Sequence, residues 1–481
     1  MKLEFAVNIL LLLLLNLLVK PLYIFGIDVQ VQNSIGPEQY GLFFSIFNYT
    51  LLFQIVLEYG ITNYIKREIS IDRSLVSPYF SGILLLKSGL ALIYFLLVFG
   101  FAPLFGYKHQ ELWIVWYVAV IQLLLTMVSF LRGCIVGLGW YKTDSIFSVL
   151  DKLVMILVLG WKLYMHEGER PDLHDFVLVY MWSVAVTAFA SFCFLVFKVG
   201  VKWVRPDRVL LKNLLVATTP FALVTFLMAV YGRLDAVLLH MLLPDGDYYA
   251  GIYAAGYRML DVYMMFALLF SNLLLPMLSS LMHDVKNAAR LIDFAVGALM
   301  TLTIVAATGG FVFRREITEL LYHHGDDNWY DTVGILFLTI IPVGLSLLYG
   351  AAILSIGKLR KQNILFLIGG AVSIIINMLL IPVYKSLGAA ISALSVNAFI
   401  AISQVIIFYR ESDLERNNKK FFLLALYLIV CLMTFFLISR LSIPVIWSLV
   451  TGAVLLLPAS VILRINKLDI QQIKALISGR N

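Results

Sequence analysis

The sequence predicts an all-α integral membrane protein of about fourteen transmembrane helices. Three observations predict it. Of its 481 residues 61% are hydrophobic and 14% charged, where soluble domains carry about a quarter charged residues. Apolar stretches long enough to cross a bilayer follow one another along the chain, separated by short polar breaks. Those breaks alternate in basic content, as the loops of a multi-pass protein do. No polar segment is long enough for a separate soluble domain, which argues against an attached water-soluble enzyme.

Taken in order, the apolar runs place spans at 5–27, 39–65, 77–101, 111–136, 140–163 and 173–199. A second set falls at 213–240, 248–281, 288–313, 331–356, 360–382 and 387–409, and a last pair at 420–439 and 443–463. The first run, Leu10 to Leu15, is followed by Asn16, Lys20 and Pro21 and by no small-residue cleavage site. A retained helix is therefore expected, not a cleaved signal. Pro220, Pro276, Pro342 and Pro382 interrupt apolar runs and are expected to bend their helices. Cys134, Cys193 and Cys431 show no pairing pattern. Beyond the last span, Leu468, Ile470, Ile473, Leu476 and Ile477 suggest a short amphipathic helix at the interface.

With a cytoplasmic N-terminus, the inner loops collect Lys66, Arg67, Lys198, Lys202, Arg205, Arg208, Lys358, Arg360 and Lys361, among others. The outer ones hold only Lys108, Lys162, Arg170, Arg314, Arg315, Lys385 and Arg440. The bias is about three to one, so both termini are expected to be cytoplasmic. It also accounts for the net charge of +7 without a nucleic-acid partner.

A weak internal repeat runs through this pattern. Pro37-Glu38-Gln39-Tyr40-Gly41-Leu42-Phe43 follows the first span, and Tyr248-Tyr249-Ala250-Gly251-Ile252-Tyr253 follows the seventh. Gly137-Leu138-Gly139-Trp140-Tyr141-Lys142 and Ser355-Ile356-Gly357-Lys358-Leu359-Arg360 repeat at a similar offset. Two six-helix halves of the same orientation are implied, at 1–200 and 201–415, with two further helices and a tail at 416–481. Parallel repeats of this kind build transporters whose substrate site lies between the halves.

Charges within the spans are the candidate site, because a charge at helix centre costs about 2.5–3.5 kcal/mol to insert. Lys20 and Arg233 precede Gly41 and Gly251 by similar distances and are near-equivalent in the two halves. Arg258 enters the eighth span with Asp261 one turn on, where the two could pair. Three cations facing a central cavity would bind an anion. Tyr257 and its neighbours Tyr231, Tyr248, Tyr249, Tyr253 and Tyr263 would stack on sugar rings or form an interfacial belt. Lys87, Asp151 and Lys152 read better as structural charges, with Lys87 neutralising Asp144 or Asp151.

Enzyme motifs do not survive inspection. Gly357-Lys358 lacks the glycine spacing and hydroxyl of a phosphate loop. Asp245-Gly246-Asp247 reads as a tight turn after Pro244. His323-His324-Gly325-Asp326-Asp327 has no defined ligand spacing. No cofactor or metal is expected.

Three stretches carry a resemblance: Ile35-Gly36-Pro37-Glu38-Gln39-Tyr40-Gly41, Glu58-Tyr59-Gly60-Ile61-Thr62-Asn63, and Arg233-Leu234-Asp235 through Tyr253-Ala254-Ala255-Gly256-Tyr257-Arg258. In these the chain resembles the polysaccharide flippases of the MOP superfamily, the Wzx-type O-antigen transporters and relatives of the lipid II flippase MurJ. The resemblance implies two six-helix lobes in a V, related by a pseudo-twofold, plus two C-terminal helices. It implies transport, without catalysis, of an undecaprenyl-pyrophosphate-linked oligosaccharide across a bacterial inner membrane. Lys20 and Arg258 match cations that line the cavity in relatives, with Lys in place of the more usual Arg at the first. Substrate-binding residues are then expected at Lys20, Arg233, Arg258, Asp261 and Tyr257. A polymerase and glycosyltransferases of lipopolysaccharide synthesis would be pathway partners. The alternatives are a cation-coupled exporter of the MATE branch and a membrane oligosaccharide polymerase or transferase.

Overall fold

The computed structural model describes residues 15–165, 170–204, 208–281, 284–323, 325–412, 414–441, 443–463 and 465. The C-terminal amphipathic segment expected from 468 onward lies outside them. The described residues form helices and their connections, with no strand. In chain order these are α1 (15–35), α2 (Pro37–Glu58), α3 (Ile61–Ile71), α4 (Val76–Phe101), α5 (Leu112–Gly137) and α6 (Tyr141–Phe147). Then come α7 (Leu150–Tyr164), α8 (Leu173–Cys193), α9 (Arg208–Leu242), α10 (Gly246–Leu281), α11 (Val285–Val312) and α12 (Arg314–Leu321). The last are α13 (Asp327–Ser355), α14 (Leu359–Tyr384), α15 (Ser386–Glu411), α16 (Asn418–Ser439) and α17 (Val445–Ile462).

Among the described residues eleven helices are long and apolar enough to cross a membrane: α2, α4, α5, α8, α10, α11 and α13–α17. Leu92, Leu96, Phe189, Leu379 and Val454 are each at least 65% exposed. Apolar surface on that scale belongs against lipid, not water. Three expected spans fall outside the eleven. The first begins in residues that are not described, and the seventh lies in α9, where several side chains are not described. The fifth breaks in two because Val149, at φ −127°, leaves helical backbone between α6 and α7. The expected span 39–65 also breaks, at Tyr59 and Gly60, whose φ values of 42° and 71° are left-handed. Two such residues in succession end α2 and restart the chain as α3. The count of fourteen spans stays an expectation.

The chain separates into two compact units. One comprises Met1–Arg258, Leu321–His324 and Phe366–Ala389; the other comprises Met259–Leu320, Gly325–Leu365 and Ala390–Asn481. In the first unit α2 packs on α9, α5 and α4, while α5 and α7 pack on α8. Ile61, Ile65, Phe80, Ile83, Phe130 and Ile135 form an apolar core there. In the second unit α11 is the central helix, packed on α13, α16 and α17. Its core joins Leu299, Ile304, Leu348, Tyr349, Tyr427 and Phe435. The six-helix halves expected from the repeat concern internal symmetry instead of compactness, and they remain a proposal.

Two local features shape the first unit. Helix α1 contains a wide π turn at Ile24–Asp28, a distortion frequent at functional sites. It ends at Gly36, whose φ of 84° favours glycine, and Pro37 then starts α2 with its φ already set for a helix. The glycines of the repeat meet here. A Cβ on Gly41 would run into the Asp247 carbonyl and the Gly251 nitrogen, and one on Gly251 into the Pro37 carbonyl. The starts of α2 and α10 therefore cross with backbone against backbone, as small residues allow.

Gly251→Ala is expected to lower the melting temperature of the full-length protein in detergent, with an overpacking cost of about 1–3 kcal/mol. Gly89→Ala is the control, since a Cβ at Gly89 meets nothing within 4 Å. Equal melting of the two variants would refute the close crossing.

Candidate functional site

Arg258 lies two helical turns beyond Gly251 and so on the same face of α10. Its side chain turns toward α1 and is 4% exposed. Nε donates to Asp28 Oδ2 at 2.7 Å, and Nη2 to the Asp28 carbonyl oxygen at 3.4 Å. Nη1 donates to the Tyr322 hydroxyl oxygen at 2.6 Å and to Gln32 Oε1. The guanidinium also sits over the Tyr40 ring, 4.3 Å from its centre. The Tyr40 hydroxyl donates to both carboxylate oxygens of Asp28, at 3.0 and 3.1 Å.

Local sequence explains the convergence. Asp28 and Gln32 are four apart on α1 and share a face; Asp28 closes the π turn. Gln32 then turns its Nε2 to the Gly251 carbonyl at 2.9 Å, so one amide joins the glycine crossing to the guanidinium. Tyr40 is the residue before Gly41 and is brought beneath Arg258 by the same crossing. Tyr322 arrives just after α12, held nearby by Asn33, whose Nδ2 donates to the Leu321 carbonyl at 2.9 Å. A buried charge is tolerated only when paired and hydrogen-bonded, and Arg258 meets both conditions.

Lys20 lies in different company. It is half-buried on α1, with Arg132, Asp151 and Lys152 as its charged neighbours. Arg132 is taken by Asp144 through two bonds of 2.7 and 3.2 Å. Lys152 is paired with Asp151 at 3.4 Å and lies over the rings of Tyr23 and Tyr180, at 4.5 and 4.3 Å. Lys66 also faces Asp144 and Arg132, so the two carboxylates are held directly by Arg132 and Lys152, while Lys20 lies beside Asp151 without a direct ion pair among the described residues. Arg233, on α9, lies over the Tyr257 ring at 4.9 Å, and the Tyr257 hydroxyl donates to the Gly232 carbonyl at 3.1 Å. Asp235 beside it accepts from Tyr253 and Asn377, both at 2.7 Å.

Of the residues expected from sequence, Tyr257 and Arg233 are thus brought together, while Lys20 and Arg258 each have neighbours of their own. The hydrogen bonds of Arg258 go to Asp28, Gln32 and Tyr322 rather than to Asp261, which lies one turn on in the second unit. Lys87 corrects an expectation. It pairs with Glu58 at 3.7 Å and donates to the Leu57 carbonyl at 2.8 Å, not to Asp144 or Asp151. The reason is the break at Tyr59, which ends α2 and leaves its last carbonyls open to a cation. The Tyr249 hydroxyl accepts a hydrogen bond from Lys385 Nζ at 2.6 Å, and Tyr231 stacks on Phe366.

Asp28, Gln32, Tyr40 and Tyr322 escaped the sequence reading. Asp28 falls one residue past the expected end of the first span, so it counted as a loop residue. The four-residue spacing of Asp28 and Gln32 was the available signal.

Residues 5–282 match the family model described as polysaccharide biosynthesis protein, more than half of the chain. The chain belongs to that family. No curated protein matches it by sequence. Among solved structures it is similar to the lipid II flippase MurJ in an inward closed conformation, with TM-score 0.72 and 12% identity over 96% of this chain and 98% of that one. It is also similar to an inward-facing MATE multidrug transporter of the MOP superfamily, TM-score 0.66 and 14% identity over 81% and 94% of the two chains. A MOP superfamily transporter from Pyrococcus furiosus gives TM-score 0.60 and 16% identity over 84% and 94%. At these identities the likeness shows a shared fold. With its family and its eleven spanning-length helices, the chain is a multi-pass membrane protein that shares the fold of these MOP superfamily transporters.

Arg258→Ala leaves Asp28 buried without its cation and is expected to cost about 3–5 kcal/mol of stability. Asp28→Asn combined with Arg258→Gln removes both charges and should recover most of the lost melting temperature. A double variant no more stable than Arg258→Ala would show that the pair is not what holds this region.

Proposed function

We propose that the protein flips an undecaprenyl-pyrophosphate-linked oligosaccharide from the cytoplasmic to the outer leaflet by alternating access. The observation that carries this reading is the gathering of Lys20, Lys66, Arg132 and Lys152 around Asp144 and Asp151, inside the membrane fold of a polysaccharide biosynthesis protein. A cation left without a full counter-charge in a bilayer is costly unless an anion comes to it. A pyrophosphate group supplies that anion and accepts charge-assisted hydrogen bonds. Arg258 serves the same cargo in turn. Its bonds to Asp28 hold it while no anion is present, and a phosphate oxygen takes the place of Asp28 as the halves change access. Arg233, Tyr257 and Asp261 complete the binding set. The polyprenyl tail stays in the lipid, so the protein need shelter only the polar headgroup.

The bacterial inner membrane, cytoplasmic termini and a cargo from O-antigen or lipopolysaccharide synthesis belong to the same proposal. Single cysteines introduced near Lys202 and Asp326 are expected to label from opposite sides of the membrane. Labelling from one side would overturn the orientation.

Purified protein in liposomes is expected to speed the reorientation of a polyprenyl-pyrophosphate-linked saccharide. Lys20→Ala should slow it by about tenfold, the loss of one charge-assisted bond, and Lys20→Arg should keep most of the rate. No acceleration under any ion gradient would refute the flippase reading. Movement of a cationic drug in its place would put a MATE-like exporter forward.

A further inference from the structure

A group of polar side chains in the first unit stands apart from the Arg258 and Lys20 clusters. The starts of α2, α5 and α8 come together around an open depression of about 360 Å³. Gln39, Gln110, Glu111, Trp113, Asp172 and His174 line it, over three apolar side chains. No lysine or arginine is among the lining residues.

The chemistry of this lining is specific. Trp113, 39% exposed, presents a broad flat face. It belongs to an aromatic trio, with its ring 5.5 Å from that of His174 and 6.1 Å from that of Tyr117, and the last two 6.0 Å apart. Glu111 uses Oε2 to accept the Lys108 N–H at 2.8 Å, and Asp172 uses Oδ1 to accept the Asp175 N–H at 2.7 Å. Each carboxylate is thereby oriented through one oxygen while the other oxygen faces no such constraint. Gln39 and Gln110 are exposed and offer amide donors and acceptors alike. A ring face beside two fixed carboxylates and two amides suits a ligand with an apolar face and a rim of hydroxyl donors. The same carboxylates repel an anion.

We propose that this depression binds a neutral or amino-sugar ring and rejects uronic acids, so that it selects among saccharide headgroups. The proposal rests on the flippase reading for the source of the saccharide. Gln39 directly precedes Tyr40, so the sugar site and the Arg258–Asp28 pair occupy one end of α2. By the distribution of basic residues this is the outer end, where the headgroup emerges.

The test uses full-length protein in lipid nanodiscs and saturation-transfer NMR with three soluble probes: chitobiose, maltotriose and digalacturonate. The two neutral probes are expected to give saturable signals, with digalacturonate about five- to tenfold weaker. Trp113→Ala and Asp172→Asn should each lose the neutral signals, while Trp113→Phe, which keeps a ring, should retain most of them. A loss with Trp113→Ala that Trp113→Phe does not share thus reports the aromatic face and not misfolding. Absence of neutral binding, or binding indifferent to Trp113→Ala and Asp172→Asn, overturns the site even where the wild type still flips lipid-linked saccharide. Neutral binding that follows these variants supports the site, and if the same protein flips nothing, the flippase reading alone falls.

Discussion

An arginine buried among apolar helices must be answered by a carboxylate, and much of the first unit is arranged to provide that answer. Arg258 reaches Asp28 across helices far apart in sequence, and the remaining donors of its guanidinium find Gln32, Tyr322 and the Asp28 carbonyl. Tyr40 contributes twice, its ring beneath the cation and its hydroxyl on the anion. Such a cluster has little tolerance for displacement, because each member satisfies another. In a membrane the penalty for an unmet charge is high, so the pair determines where α1 and α10 sit along each other.

The glycine crossing makes that register possible. Gly41 and Gly251 let two helix starts approach backbone to backbone, and the Gly251 carbonyl then accepts from Gln32. From that point the helical repeat carries the face of α10 to Arg258. The repeat visible in the sequence thus has a physical content. Gly41 and Gly251, at matching places in the expected repeat, have no room for a side chain because their backbones touch. Elsewhere in the unit the charges settle locally, Arg132 with Asp144, Lys152 with Asp151 and Lys87 with Glu58. Lys20 lies among them beside Asp151, without a direct ion pair among the described residues.

How much was legible varied with the range of the interaction. Spans such as α4, α11 and α13 follow from local apolar content, and the structure places them within a few residues of expectation. The breaks at Tyr59 and Val149 were not legible, because both sit inside apolar runs that hydropathy alone reads as continuous. Arg258 stood out as a charge in an apolar stretch. Asp28 did not, since it borders the first span and looks like a loop residue until α1 is seen to continue to residue 35. Lys87 was assigned a partner by counting charges, whereas its partner is decided by which helix end α4 packs against.

By itself the sequence determined the solvent of this protein and its fold class. Some 61% hydrophobic content in spanning lengths leaves helices in a bilayer as the outcome, because backbone polar groups must there be satisfied within each segment. It also singled out the residues whose charges needed an explanation. Only the tertiary structure decided the pairings: that Arg258 belongs to Asp28, that Gly41 faces Gly251, and that Lys87 belongs to Glu58. Those depend on which helices come into contact and in what register, and a charge written in one dimension does not carry its distance to another.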